Sequence, residues 1–137
     1  MYKRILLCLD GAPRDRVLVE HVAELALLLG SQVLLIRVGT AHPWDAIVGE
    51  AERIEGYLAQ IRDELTQRGL VVETVAAHGD PAKVILQQVE ARGCDLIAMS
   101  SHGYRWLLDL LLGSVSSAVK HGARVPLLLL GGGMGER

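Results

Sequence analysis

The chain is poor in aromatic and cysteine residues, and it contains no phenylalanine. Three tyrosines and two tryptophans stand among 137 residues, half of which are hydrophobic. The interior must therefore be built from leucine, valine, isoleucine and alanine, which is typical of a parallel sheet covered by helices. The two cysteines, Cys8 and Cys94, have neither CxxC spacing nor nearby histidines in a ligand pattern. We interpret them as small buried hydrophobic side chains that are not bonded to each other.

Other absences disfavour whole classes of function. The formal net charge is -2 and no basic stripe is visible, which argues against binding of nucleic acid. The first apolar run covers only residues 5–9 before Asp10, which is too short for a secretory signal. Nothing approaches the roughly 18 apolar residues of a membrane span. We therefore expect a cytoplasmic protein with no nucleic-acid or membrane partner.

Five short apolar runs alternate with segments of helical spacing. The runs cover residues 5–9, 33–38, 71–75, 96–99 and 125–130. We interpret each as continuous rather than alternating, which predicts strands covered on both faces. The alternation predicts an α/β fold with an open five-stranded parallel sheet, right-handed crossovers and helices on both faces. We expect one domain over residues 1–130, followed by a flexible glycine-rich tail over residues 131–137.

Proline, aspartate and glycine predict the helix boundaries. Pro13 and Pro81 lie where a first helical turn would begin, and Asp80 is a good N-cap. Four glycines fall where helices are expected to end, namely Gly30, Gly69, Gly93 and Gly122.

The strongest functional signal follows the fourth run, at the carboxyl edge where ligands bind to such sheets. Residues 100–103 read Ser-Ser-His-Gly, and residues 113–116 read Gly-Ser-Val-Ser. A glycine after a strand lets backbone N–H groups approach a phosphate, and a glycine-serine pair at a helix start adds free amides and a hydroxyl. The two segments predict an anion site. The alternative is that Gly103 is only a turn and Ser114 only an N-cap.

This spacing resembles the signature of the universal stress protein family, Gly-x2-Gly-x9-Gly-Ser/Thr. Gly103, Gly113 and Ser114 match it directly, and Ser100 stands in place of the first glycine. The resemblance extends over nearly the whole chain. It implies a Rossmann-like domain of the adenine nucleotide alpha hydrolase type that binds ATP, ADP or AMP and forms a homodimer through the last strand. It also implies Mg²⁺, held through the bound nucleotide by Asp10 and Ser114.

The resemblance implies that Asp10 lies against the nucleoside and that the backbone of Val38 contacts the adenine edge. The position of Asp10 after the first run supports this role, with capping of the turn as the alternative. His102 has no assignable nucleophile and third partner, so no catalytic residue is predicted. Arg105 either reaches phosphates or is solvated. The other expected contacts come from the first run and the signature: Leu9, Met99, Ser100, His102, Gly103, Gly113, Ser114, Val115 and Ser116.

The sequence lacks a GxxxxGK[ST] motif, and no lysine occurs between Gly103 and Ser114. The usual cation for phosphate transfer is therefore missing, and we expect at most slow ATP hydrolysis. The main prediction is a dimeric, nucleotide-responsive regulator of stress responses with an unknown protein partner. The alternative is a member of the same family that binds no nucleotide and acts as a structural or interaction dimer.

Overall fold

The computed structural model describes residues 1–101 and 125–131, which form five strands and three helices. All strand pairs are parallel, and the strand order is β3-β2-β1-β4-β5. The predicted open parallel sheet is confirmed. The strands are β1 (Arg4–Cys8), β2 (Gln32–Gly39), β3 (Val72–His78), β4 (Leu96–Ser100) and β5 (Leu127–Leu130), and the helices are α1 (Asp15–Leu29), α2 (Trp44–Gln67) and α3 (Pro81–Arg92).

Helices cover both faces of the sheet because successive strand side chains point to opposite sides. In β1, Ile5 and Leu7 contact a core that includes α1 and α2, whereas Leu6 contacts a core that includes α3. All three side chains are fully buried. The central strand is thus apolar from Ile5 to Cys8, as the continuous run predicted.

The third strand corrects the expectation of a strand covered on both faces. It runs from Val72 to His78, later than the predicted residues 71–75, and its side chains are half-buried or exposed, with none fully buried. It lies at one end of the strand order, so it pairs with β2 alone among the described strands. Edge strands keep one polar face, which is why Glu73 is accommodated there.

The predicted boundaries hold for α3 and for the end of α1. The Asp80 carboxylate accepts a hydrogen bond from the N–H of Ala82, and Pro81 is the first residue of α3. Gly30 and Gly93 end their helices in the left-handed conformation, with φ of 71° and 64°. Helix α1 begins at Asp15, two residues after Pro13, so the predicted start there was too early.

The last strand is shorter than the predicted run of residues 125–130. Pro126 lies directly before β5, and its carbonyl oxygen accepts a hydrogen bond from the N–H of Ile97 at 3.0 Å. Gly122 and residues 132–137 lie outside the described residues, so the boundary of the tail stays a prediction. Within residues 1–101 and 125–131, no helix is long and apolar enough to cross a membrane.

Candidate functional site

A cavity lies where the strand order reverses. Strands β1 and β4 are neighbours, but the chain leaves β1 toward β2 and returns to β4 only after β3. The sheet therefore has its switch point between β1 and β4, and open parallel sheets bind ligands at the carboxyl ends of the strands beside such a point. A cavity of about 360 Å³ opens at this edge. It is lined by Cys8, Leu9, Asp10, Ile36, Arg37, Val38, Thr40, Glu50, Pro81, Ile85, Met99 and Ser100.

Five of the predicted contact residues belong to this lining: Leu9, Asp10, Val38, Met99 and Ser100. They come from the turn after β1 and from β2 and β4, so residues up to 91 positions apart meet at one edge. Leu9, Met99 and Ser100 are buried, Val38 is half-buried and Asp10 is exposed. The cavity thus has an apolar floor with a carboxylate at its rim. The other seven predicted residues, His102, Gly103, Arg105, Gly113, Ser114, Val115 and Ser116, lie outside the described residues.

Asp10 shapes the turn in which it lies. Its Oδ1 accepts a hydrogen bond from the N–H of Ala12 at 2.9 Å, and its Oδ2 forms an ion pair with Arg14 at 3.0 Å. Partial burial acts to raise the pKa of the Asp10 carboxyl. The hydrogen bonds from Ala12 and Arg14 outweigh that effect, and the pKa lies below its ordinary value. Asp10 is therefore an ionised group at the cavity. The N-cap of α1 is Arg14, so Asp10 does not cap that helix itself.

The Asp15 side chain stabilises this turn through hydrogen bonds, and it was not predicted from the sequence as a site residue. This carboxylate is only 3% exposed. It accepts hydrogen bonds from the N–H of Asp10 at 3.2 Å, from the N–H of Gly11 at 2.8 Å and from the hydroxyl of Tyr57 at 2.6 Å. Burial raises the pKa of Asp15, and the nearby Asp10 carboxylate adds to that rise, although the three donors oppose it.

Arg37 and Glu50 are the other two charged residues of the lining, and neither was predicted from the sequence. The guanidinium of Arg37 stacks over the ring of Tyr57, 5.3 Å from its centroid. Oε1 of Glu50 accepts a hydrogen bond from the N–H of Ala41 at 3.0 Å and so holds the loop after β2. A charged residue near the end of an apolar run was the one signal that could have identified Arg37. Glu50 carried no comparable signal.

The described residues include no group of three or more histidine, cysteine or acidic residues arranged to hold a metal ion. The binding of Mg²⁺ through the nucleotide by Asp10 and Ser114 stays a prediction.

The comparison with known families decides where the chain belongs. The sequence profile described as the Universal stress protein family matches residues 1–131. The chain belongs to the universal stress protein family. This universal stress protein is 36% identical over 137 residues to universal stress protein A homolog 2 of Coxiella burnetii, covering 93% of each chain. It is 25% identical over 147 residues to universal stress protein YxiE of Bacillus subtilis, covering 95% of this chain and 99% of that one.

Solved structures share the fold. The structure of MJ0577, a universal stress protein of Methanocaldococcus jannaschii, matches with a TM-score of 0.73 and 27% identity over 96% of both chains. A universal stress protein in complex with cAMP matches with a TM-score of 0.68 and 17% identity over 94% of this chain and 97% of that one. A family protein of Arabidopsis thaliana with AMP bound matches with a TM-score of 0.65 and 16% identity over 94% and 91%.

Proposed function

We propose that this universal stress protein binds an adenine nucleotide in the cavity at the carboxyl ends of β1, β2 and β4. The observation that carries the proposal is the cavity of about 360 Å³, whose lining includes Leu9, Asp10, Val38, Met99 and Ser100. Two proteins of the same fold were solved with cAMP and with AMP, which supports an adenine nucleotide as the ligand class. The lining combines a buried apolar surface with a few polar groups, as ligand pockets do.

In this proposal the apolar part of the lining contacts the nucleoside, and the signature residues together with charged side chains of the lining contact the phosphates or their metal ion. Val38 offers main-chain atoms at the end of β2, and Asp10 offers an ionised carboxylate at the rim. Gly113 and Ser114 would receive the phosphates through helix-start amides and a hydroxyl. The proposal assigns binding to these groups and no chemical step to any of them.

Asp10 is suited to a magnesium ion that is also bound to phosphate. Its side chain is exposed, and each carboxylate oxygen has a second lone pair besides the one used by Ala12 or Arg14. The hydroxyl of Ser114 would be the second protein ligand. The metal would neutralise phosphate charge at the rim of the cavity.

The biological role that we propose is that of a nucleotide-responsive regulator acting in the cytoplasm, with an unknown protein partner and at most slow ATP hydrolysis. We further propose a homodimer formed through β5. This strand is the last in the sheet order, and its four leucines are only half-buried. An uncharged, apolar edge strand favours pairing with a second copy. A monomer in light scattering at micromolar concentration would exclude this dimer.

The first test of binding is thermal unfolding of the wild type with AMP, ADP or ATP, each with and without Mg²⁺. A ligand that binds only the folded protein stabilises it by about 2.7 kcal/mol at one hundred times its dissociation constant. We expect the melting temperature to rise with the adenine nucleotides. If the melting temperature does not rise and calorimetry shows no binding at millimolar nucleotide, the alternative of an interaction dimer that binds no nucleotide is supported instead.

The second test asks whether the cavity is the site. Asp10→Ala should weaken binding, and the loss should depend on Mg²⁺ if the carboxylate acts through the metal. Asp63→Ala is the matched control, because Asp63 is an exposed carboxylate paired with Arg62 and does not line the cavity. Equal effects of the two substitutions would contradict a binding role for Asp10.

The third test examines the two ends of the signature. Ser114→Ala removes one hydrogen bond to phosphate and should weaken binding about tenfold to hundredfold. Gly113→Val should block the close approach of backbone amides. Ser100→Gly restores the glycine of the family signature in the buried wall of the cavity. It should change affinity little if serine is tolerated, and raise it if serine obstructs the site.

A further inference from the structure

Arg37 brings a positive charge to the cavity without a carboxylate partner in the described part of the chain. Within residues 1–101 and 125–131, no acidic oxygen lies within ion-pair distance of its guanidinium. The side chain is half-buried, so water only partly compensates its charge. A partly desolvated cation at a cavity wall is a binding group for an anion.

The neighbouring carboxylates are engaged elsewhere. Asp10 pairs with Arg14, and Asp15 receives three hydrogen bonds from Asp10, Gly11 and Tyr57. The Glu50 carboxylate accepts a hydrogen bond from the N–H of Ala41. The charge of Arg37 therefore remains available to a ligand, although two other side chains of the same lining are acidic.

Two contacts hold the guanidinium in place over the turn after β1. It stacks on the ring of Tyr57, whose hydroxyl is in turn fixed by the buried Asp15. It also lies against Gly11, where an added Cβ would come within 2.6 Å of the guanidinium carbon of Arg37. The left-handed backbone of Gly11, with φ of 83°, and its missing side chain together allow this approach. The cation is thus preorganised beside Asp10.

We propose that Arg37 is the charge-selecting residue of the nucleotide site, donating hydrogen bonds to a phosphate group of the bound nucleotide. The inference rests on the proposed nucleotide binding and deepens it. The residue makes the site favour a nucleoside monophosphate over the uncharged nucleoside, because a guanidinium gains most from a phosphate oxygen in a partly desolvated wall. Tyr57 acts as a positioning residue for Arg37 through the stacking contact.

The direct experiment measures the affinities for AMP and adenosine by calorimetry in the wild type and in Arg37→Gln. We expect Arg37→Gln to weaken AMP binding about tenfold to hundredfold and to change adenosine binding less than about threefold. Arg37→Lys keeps the charge and should retain part of the preference for AMP. Arg16→Gln is the matched control, since Arg16 pairs with the exposed Glu64 and does not line the cavity.

A second variant displaces the guanidinium without removing it. Gly11→Ala places a methyl group where the end of the Arg37 side chain now lies, so we expect it to lower AMP affinity more than adenosine affinity. Gly30→Ala is the control for backbone strain, because Gly30 also has a positive φ of 71° but open space around an added Cβ. Gly11→Ala should lose its charge-selective effect in the Arg37→Gln background, as residues that act through one contact are not additive.

The outcomes separate this inference from the proposal beneath it. A wild type that binds none of adenosine, AMP, ADP and ATP overturns both, and one that binds ADP or ATP but neither AMP nor adenosine overturns the inference about Arg37 alone. A wild type that binds AMP, with an unchanged ratio of AMP to adenosine affinity in Arg37→Gln, overturns the role of Arg37 alone. A loss in Arg37→Gln that is equal for both ligands assigns Arg37 to general support of the cavity and also overturns charge selection.

Discussion

The hydroxyl of Tyr57 in α2 donates a hydrogen bond to the buried carboxylate of Asp15 at the start of α1, across 2.6 Å. The same carboxylate binds the backbone N–H groups of Asp10 and Gly11. One acidic group thus joins two helices to the turn that bounds the cavity. The conformation of this turn consequently depends on packing between elements that are far apart in sequence.

Removing the Tyr57 hydroxyl should destabilise the protein. Tyr57→Phe keeps the ring under Arg37 but deletes one of three donors to a buried carboxylate, so we expect a loss of about 1.5–3 kcal/mol in the free energy of unfolding. Urea denaturation measures it. Tyr2→Phe is the control, because the Tyr2 hydroxyl makes no hydrogen bond with the described residues, and it should cost less than about 0.5 kcal/mol. Equal losses would exclude a special role for the Tyr57–Asp15 bond.

The buried Asp15 should make a contribution to folding stability that decreases as pH rises. Burial raises its pKa above the ordinary value of 3.8, so the folded protein holds this proton more tightly than the unfolded chain does. Its contribution to stability is complete below pH 3.8 and is lost as pH rises through the raised folded pKa. The stability of the wild type relative to Asp15→Asn should therefore fall as pH rises from 4 to 7.

Urea denaturation at several pH values checks this, with Asp63→Asn as the exposed control. Asp10 lies nearby, but its pKa is lowered, so its contribution is present above pH 3.8 and is lost only at more acidic pH. The window above pH 4 isolates Asp15 from Asp10. A stability difference that stays constant or grows with pH in this window would contradict the prediction.

Shortening a buried side chain in the central strand should strongly destabilise the protein. Leu7→Ala removes a fully buried side chain from β1, in the core shared with α1 and α2, and should cost about 2–5 kcal/mol of unfolding free energy. Leu28→Ala makes the same chemical change at a side chain that is 82% exposed, and it should alter stability by less than about 0.5 kcal/mol. Similar values for the two variants would show that the sheet centre is not the stabilising core.

Both thiols should be free but slow to react. Cys8 and Cys94 form no disulfide, as predicted, and Cys94 is buried, whereas Cys8 is only half-buried, which corrects the prediction for that residue. Burial raises the pKa of both, for Cys94 to about 11, so little thiolate exists near neutral pH. A thiol reagent without reductant should titrate two equivalents in denaturant, and more than about tenfold more slowly in the native protein. One equivalent or fewer in denaturant would refute the free state.

The sequence alone determined the order of strands and helices, the cap at Asp80 and the edge of the sheet where the cavity opens. These features depend on local spacing and on the rule that parallel strands end at a common edge. Asp10, Val38 and Ser100 could be placed together for that reason, and the family resemblance added Leu9 and Met99. Each immediately follows or ends an apolar run.

Only the tertiary structure determined which side chains meet across elements. Asp15 and Tyr57 are 42 residues apart, and their contact depends on how α1 and α2 are rotated against the sheet. The position of Arg37 over Gly11 depends equally on the register between β1 and β2, in which Cys8 lies beside Ile36. Hydrophobic burial sets rotation and register for the whole core at once. The position of an individual polar side chain follows from that packing and cannot be predicted from a local sequence pattern.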